Sequence, residues 1–222
     1  MNKRLLVGFY DYTVVATYLS LISSAVGIFQ AACGNIPAAA VCLIISGFLD
    51  MFDGMIARTR KNRTREERLF GIQIDSLTDL VCFGVLPAAM CFSIWRDSRE
   101  LSGVAAAGIL VVCGLFVLAA LVRLAYYNVT EEIRTESENG GRAAFAGLPV
   151  TTGALIFPMV YALFVGYPHV LPVVFTIVLL LTGAAFVANV RVRKPGKIGA
   201  MVMTALGLGE IVLLFVRCAG RG

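Results

Sequence analysis

The chain has 222 residues, is 59% hydrophobic but only 15% charged, and has a mean hydropathy of +0.84. Soluble domains run to about 45–50% apolar and about 25% charged residues, so a water-soluble globule is excluded. A disordered chain is excluded too, because disorder needs low hydrophobicity and high charge.

The start, MNKRLLVGFYDY, is basic but has no small-residue cleavage site after a short apolar core, so the first long apolar segment is expected to remain in the mature protein. Charges then divide the sequence. Between Asp11 and Asp50 runs an uncharged stretch, broken by Cys33-Gly34-Asn35-Ile36-Pro37, which predicts two membrane helices of about 20 residues each with a tight turn. A third span follows Asp79 and ends at Trp95, an aromatic suited to the membrane interface, and a fourth covers Leu101 to Val122. From Ala143 to Val190 there is no formal charge, and Gly166-Tyr167-Pro168 marks the turn between spans five and six. The last segment, Ile198 to Val216, carries only Glu210 as a charge. The expected fold is therefore all-α, a polytopic transmembrane helical bundle of about seven spans (six to eight), in one integral-membrane domain over 1–222.

Basic residues test that count, since they collect on the cytoplasmic side of alternate spans. With the spans drawn this way, fifteen of the 19 Lys and Arg fall on one side, six of them between Arg58 and Arg68. The N-terminus and the 59–70 loop are placed in the cytoplasm, in a cell membrane. This asymmetry accounts for the net charge of +5 without a nucleic-acid partner. The six cysteines stand singly in apolar stretches with no C-x-x-C pair, so they predict neither a zinc site nor a disulfide framework. His169, the one histidine, falls in an outside turn, away from any cytoplasmic chemistry.

Four aspartates carry the chemical signal. Asp50 and Asp53 are three apart and Asp75 and Asp79 four apart, so each pair shares a helix face, with Gly71 continuing the second face. Both pairs lie roughly 6–12 Å below the cytoplasmic helix ends at about 1.5 Å per residue, with Asp53 expected to face Asp75 and Asp50 to face Asp79. An intramembrane carboxylate costs roughly 2.5–3.5 kcal/mol on insertion scales, and four together need neutralising. Oxygen-only donors suit hard divalent cations, Mg²⁺, Mn²⁺ or Ca²⁺, and four carboxylates can balance two of them. Gly54 and Ala57 leave a patch where a ligand can approach the helix, and Arg58 offers a guanidinium fork suited to phosphate. Arg123, at the cytoplasmic end of span four, and Asn128 are candidate contacts for a substrate phosphate or carboxylate. A cation-coupled transporter also uses buried carboxylates, but transporters commonly show internal repeats, and this sequence has no evident repeat.

The pattern Asp50-x-x-Asp53-Gly54-x-x-Ala57-Arg58, then Gly71-x-x-x-Asp75-x-x-x-Asp79, resembles the signature of the CDP-alcohol phosphatidyltransferases. Twelve residues separate Arg58 from Gly71, more than the family usually has, and the excess falls in a polar loop. The run Asp75-Ser76-Leu77-Thr78-Asp79-Leu80, with Phe83-Gly84-Val85-Leu86-Pro87-Ala88 and Arg123-Leu124-Ala125, is similar to the phosphatidylserine synthase branch. The resemblance implies attack of the serine hydroxyl on the β-phosphorus of CDP-diacylglycerol, giving phosphatidylserine and CMP. Glycerol 3-phosphate, inositol or another alcohol is the alternative acceptor within the family. It further implies Asp50, Asp53, Asp75 and Asp79 as ligands of Mg²⁺ or Mn²⁺, Asp79 as catalytic base, Gly54, Ala57, Arg58 and Gly71 at the CDP-diacylglycerol, and a homodimer.

Overall fold

The structure is a computed structural model that describes residues 8–9, 12–57, 64–98, 103–136, 144–146, 148–189, 191–193 and 197–219; within these, the side chains of 13, 53–57, 131, 133–136, 144–146, 191–193, 197–201 and 218–219 lie outside the description. Helix α1 (Val15–Ala32) ends at Cys33-Gly34, where Gly34 takes φ +83°, a left-handed geometry that glycine adopts without a Cβ clash. The reversal lets the Asn35 amide return to the Gln30 carbonyl at 2.8 Å. Helix α2 (Ile36–Ala57) starts at once, with Pro37 in its first turn, where a missing amide proton costs nothing. This is the hairpin that the Cys33–Pro37 break predicts. Its two helices pack along their length, with Gly27 of α1 so close to α2 that an added Cβ would meet the Cys42 Cβ at 2.9 Å.

Helix α3 (Arg65–Asp79) begins with a capping box: the Thr64 hydroxyl accepts from the Glu67 amide at 3.2 Å, and the Thr64 amide donates to Glu67 Oε2 at 3.0 Å. It runs without a break through a π-helical segment, Leu80–Val85, into α4 (Leu86–Asp97). The third rod therefore starts about four turns before the uncharged stretch from which its span was predicted. Helix α5 (Gly103–Glu136) has 34 residues, about 51 Å at 1.5 Å each, and so exceeds the roughly 30 Å of a bilayer core. Helices α6 (Gly153–Phe164), α7 (Leu171–Val187) and α8 (Lys197–Ala219) complete seven helical rods among the described residues. Three stretches, Val15–Ala32, Arg65–Asp97 and Gly103–Thr130, are long and apolar enough to cross a membrane, and shorter apolar helices cover Ile36–Phe52, Val150–Phe164 and Leu171–Val187.

The α5–α6 and α7–α8 connections meet in a short antiparallel ribbon of β1 (Ala144–Ala146) and β2 (Arg191–Arg193), pairing Phe145 with Val192. It adds one small non-helical element to the helical bundle expected. Three residues per strand leave no alternating pattern to read; the pairing arises because two connections emerge at one end and their backbone groups need partners.

The core is aromatic where α5, α6 and α7 meet. Phe116 packs edge-on against Phe157 at 5.6 Å and 88°, and also touches Phe186, while Phe157 stacks on Phe175 at 5.4 Å. Phe83, from the π segment, is fully buried in the same core. Outward, large apolar side chains such as Phe29, Val111, Leu181 and Phe215 are exposed, a surface suited to acyl chains. Between rods, contact depends on close fit, because lipid tails are as apolar as the side chains they would replace. Gly47 shows how close: a Cβ there would lie 2.5 Å from the Ala154 Cβ of α6.

Candidate functional site

Asp50 sits on α2 two turns before its end, and Asp75 and Asp79 lie one turn apart on α3. The fold brings the three together: one carboxylate oxygen from each lies within 4.8 Å of the others, and all three residues are half-buried. Among the described residues, the carboxylates facing Asp79 are Asp50 and Asp75. At such separations two like charges repel by about 3–4 kcal/mol at an effective dielectric constant near 20, so the ionised cluster demands a counter-charge. Oxygens sharing one hard cation at about 2.1–2.5 Å stand up to about 4–5 Å apart. The donor set therefore fits a single Mg²⁺-, Mn²⁺- or Ca²⁺-like ion.

Of the other residues expected at the site, Asp53, Gly54 and Ala57 lie on the last turns of α2 with their side chains outside the description, and Arg58 lies outside the described residues. Gly71 stands one turn before Asp75, and a Cβ there would meet nothing within 4 Å, so the approach to the cluster along that face is open. Asn128 is drawn in from α5, its Oδ1 accepting from the Ser76 hydroxyl at 3.0 Å. Arg123 is buried; its Nε donates to the Leu148 carbonyl at 3.1 Å, and its guanidinium carbon lies 5.2 Å from the Tyr127 ring centroid. It ties α5 to the segment that enters α6. His169 is exposed in the α6–α7 turn, at the opposite end of the bundle by the alternation of the rods. Glu210, on α8, is 2% exposed, and its Oε2 has no hydrogen-bond partner among the described residues.

Sequence reasoning missed three features. Ser76 is a partner of Asn128 as well as a neighbour of Asp75 in the chain, and no spacing rule connects positions 76 and 128. The π segment directly after Asp79 leaves no sequence mark, although such bulges recur at functional sites. The Thr64-x-x-Glu67 spacing, by contrast, is a readable helix start.

Comparison with known proteins agrees with this geometry. The model of the CDP-alcohol phosphatidyltransferase family matches residues 13–188, which include all three clustered carboxylates. The chain is 39% identical over 121 residues to the CDP-diacylglycerol–serine O-phosphatidyltransferase of Saccharomyces cerevisiae, covering 54% of this chain and 40% of that protein. It is 28% identical over 161 residues to the archaetidylserine synthase of Methanothermobacter thermautotrophicus, covering 72% of this chain and 62% of that one. With the CDP-diacylglycerol–serine O-phosphatidyltransferase of Helicobacter pylori strain 26695 it shares 27% identity over 209 residues, 92% of this chain and 78% of the other. The chain thus spans less than two thirds of the first two relatives. No solved structure matches it. With the family match over most of its length and three of the signature's four carboxylates, Asp50, Asp75 and Asp79, converging at one point, this chain belongs to the CDP-alcohol phosphatidyltransferase family.

Proposed function

We propose that this protein transfers the phosphatidyl group of CDP-diacylglycerol to the hydroxyl of L-serine, giving phosphatidylserine and CMP. The observation that carries this reading is the convergence of Asp50, Asp75 and Asp79 within 4.8 Å in a chain of this family. Serine as acceptor is supported by relatives named for serine transfer in yeast, an archaeon and a bacterium. The archaeal relative is named for archaetidylserine, which leaves the lipid backbone to the assay.

Asp50, Asp75 and Asp79, with Asp53 on the same helix as Asp50, would hold one or two Mg²⁺ or Mn²⁺ ions. Bound there, the metal supplies positive charge to the pyrophosphate and the departing CMP. The chain's own residues do the rest. The Asp79 carboxylate accepts the proton of the acceptor hydroxyl as its oxygen attacks the β-phosphorus. Gly54, Ala57 and Gly71 give the CDP-diacylglycerol room against the helices, and the Arg58 guanidinium takes a phosphate as a two-pronged donor. Arg123 and Asn128 are the proposed contacts for the acceptor's charged groups. The two substrates meet at the membrane boundary, the lipid tails staying in the bilayer while serine arrives from water. In this reading the protein works in the cell membrane as a homodimer, in a single domain over 1–222, with its N-terminus and the 59–70 loop in the cytoplasm.

The test is a competition assay. Purified protein in detergent receives CDP-diacylglycerol, Mn²⁺ or Mg²⁺, and equal serine, glycerol 3-phosphate and inositol, with lipid products identified by mass. Phosphatidylserine with stoichiometric CMP, abolished by chelator and restored by Mn²⁺, is the expected result. A different phospholipid overturns serine as acceptor, and absence of CMP under every condition overturns transfer and favours cation-coupled transport.

A further inference from the structure

We propose that Ser20, Ser46 and Cys82 form a buried joint that sets the distance between Asp50 and Asp79, and that they are positioning residues for the cation held by the carboxylate cluster. The inference rests on the reading that the cluster binds a divalent cation. Ser46 lies one helical turn before Asp50 on α2, and Cys82 lies three residues after Asp79 in the π segment. The Cys82 thiol lies within hydrogen-bonding reach of the Ser20, Ser24 and Ser46 hydroxyls. Ser46 and Cys82 also reach the same group on α1, the Ser20 carbonyl: Ser46 Oγ donates to it at 3.1 Å and Cys82 Sγ at 3.6 Å. The Ser20 hydroxyl answers in both directions, donating to the Ser46 carbonyl at 3.2 Å and lying 3.4 Å from Cys82 Sγ. The single Ser46 hydroxyl proton is shared between the Ser20 carbonyl and the Cys42 carbonyl of its own helix, 2.9 Å away, and Ser24 Oγ lies 2.8 Å from Ser46 Oγ.

All of these side chains are buried, Ser20 at 2% exposure and Ser24, Ser46 and Cys82 at 0%. Water does not compete for their hydrogen bonds, so one α1 residue locks the element carrying Asp50 to the element carrying Asp79. Cys82 is thus a donor in a polar joint, a role its apolar sequence context conceals. The π turn explains why the donor sits here: it widens the helix directly after Asp79, shifting the following residues in register relative to an α-helix, and Cys82 is where that altered register meets α1. Outer-shell groups that orient metal ligands typically alter metal affinity by about 10–100-fold when removed. The carboxylates keep their identity in every variant of the joint; only their spacing changes.

The experiment measures Mn²⁺ binding by electron paramagnetic resonance on purified protein without substrate, alongside unfolding temperature and Mn²⁺-dependent CMP release. Ser46→Ala and Cys82→Ala are each expected to weaken Mn²⁺ binding about tenfold, and Cys82→Ser, which restores a donor, to bind as wild type does. Ser23→Ala is the control. Its hydroxyl donates at 3.0 Å to the Cys42 carbonyl, an acceptor that Ser46 Oγ also reaches, and it joins the same two helices one turn further from the cluster. Its removal leaves both Ser46 bonds available, so it should lower the unfolding temperature and leave Mn²⁺ affinity unchanged. Wild-type affinity in both Ser46→Ala and Cys82→Ala overturns the joint whatever happens to stability. Equal loss in Cys82→Ser and Cys82→Ala overturns the donor role, and absence of Mn²⁺ binding by wild type overturns the premise. If the variants lose Mn²⁺ as expected while wild type releases no CMP, the joint stands and the proposed reaction falls.

Discussion

At the scale of single residues, the cluster separates charge from shape. Asp79→Asn keeps the volume of the side chain, removes one of three mutually repelling charges, and removes the proposed base. Loss of general base catalysis costs about 10²–10⁴-fold, so CMP release by Asp79→Asn is expected to fall at least that far while the unfolding temperature holds or rises. Wild-type turnover in this variant would exclude Asp79 as base. Ser76 allows a finer test. Its hydroxyl holds Asn128 Oδ1 at 3.0 Å, and a neutral hydrogen bond contributes about 1 kcal/mol. Ser76→Ala should raise the KM for serine by about fivefold and leave the KM for CDP-diacylglycerol unchanged. An equal rise in both constants would mean that Ser76 supports the metal centre through Asp75 rather than the acceptor through Asn128.

At the scale of elements, what the sequence made legible followed directly from burial cost. Carboxylates spaced three and four apart in apolar surroundings had to share helix faces and meet something, and Asp50, Asp75 and Asp79 do meet. The α1–α2 turn was legible from local chemistry, since Gly34 accepts the left-handed backbone that ends a helix and Pro37 suits the first turn of the next. The π segment was not, because Leu-Val-Cys-Phe-Gly-Val reads equally well as α-helix, and tertiary contact with α1 and α5 decides its winding. The ribbon was not legible either, since it joins segments 47 residues apart through backbone groups alone. Close approach of helices is likewise a tertiary property that single glycines only hint at. Gly47 faces Ala154 with no room for a Cβ, and overpacking a fitted contact costs about 1–3 kcal/mol. Gly47→Ala should therefore lower the unfolding temperature, and Gly71→Ala, with open space at its Cβ position, should not. Equal melting of the two variants would mean that α2 and α6 separate freely at that level.

For the whole molecule, the alternation of rods puts the carboxylate cluster near one end of the bundle and the α1–α2 turn at the other. The ribbon, the Ser76–Asn128 bond and the capped start of α3 gather at the cluster's end, the end that the distribution of basic residues leads one to expect in the cytoplasm. Cys33 marks the far end: it is exposed, whereas Cys82, Cys91 and Cys113 are buried and Cys42 is half-buried. The native thiols thus report orientation with little alteration. In a Cys218→Ser background, a membrane-impermeant maleimide added to intact cells should label Cys33, and Cys33→Ser should abolish that label. With Cys33 removed, a thiol introduced by Thr64→Cys at the exposed start of α3 should react only after the membrane is permeabilised. The reverse pattern would place the cluster outside, where a cytoplasmic supply of CDP-diacylglycerol and serine could not reach it, and the proposed transfer would fail on topology before any assay of chemistry.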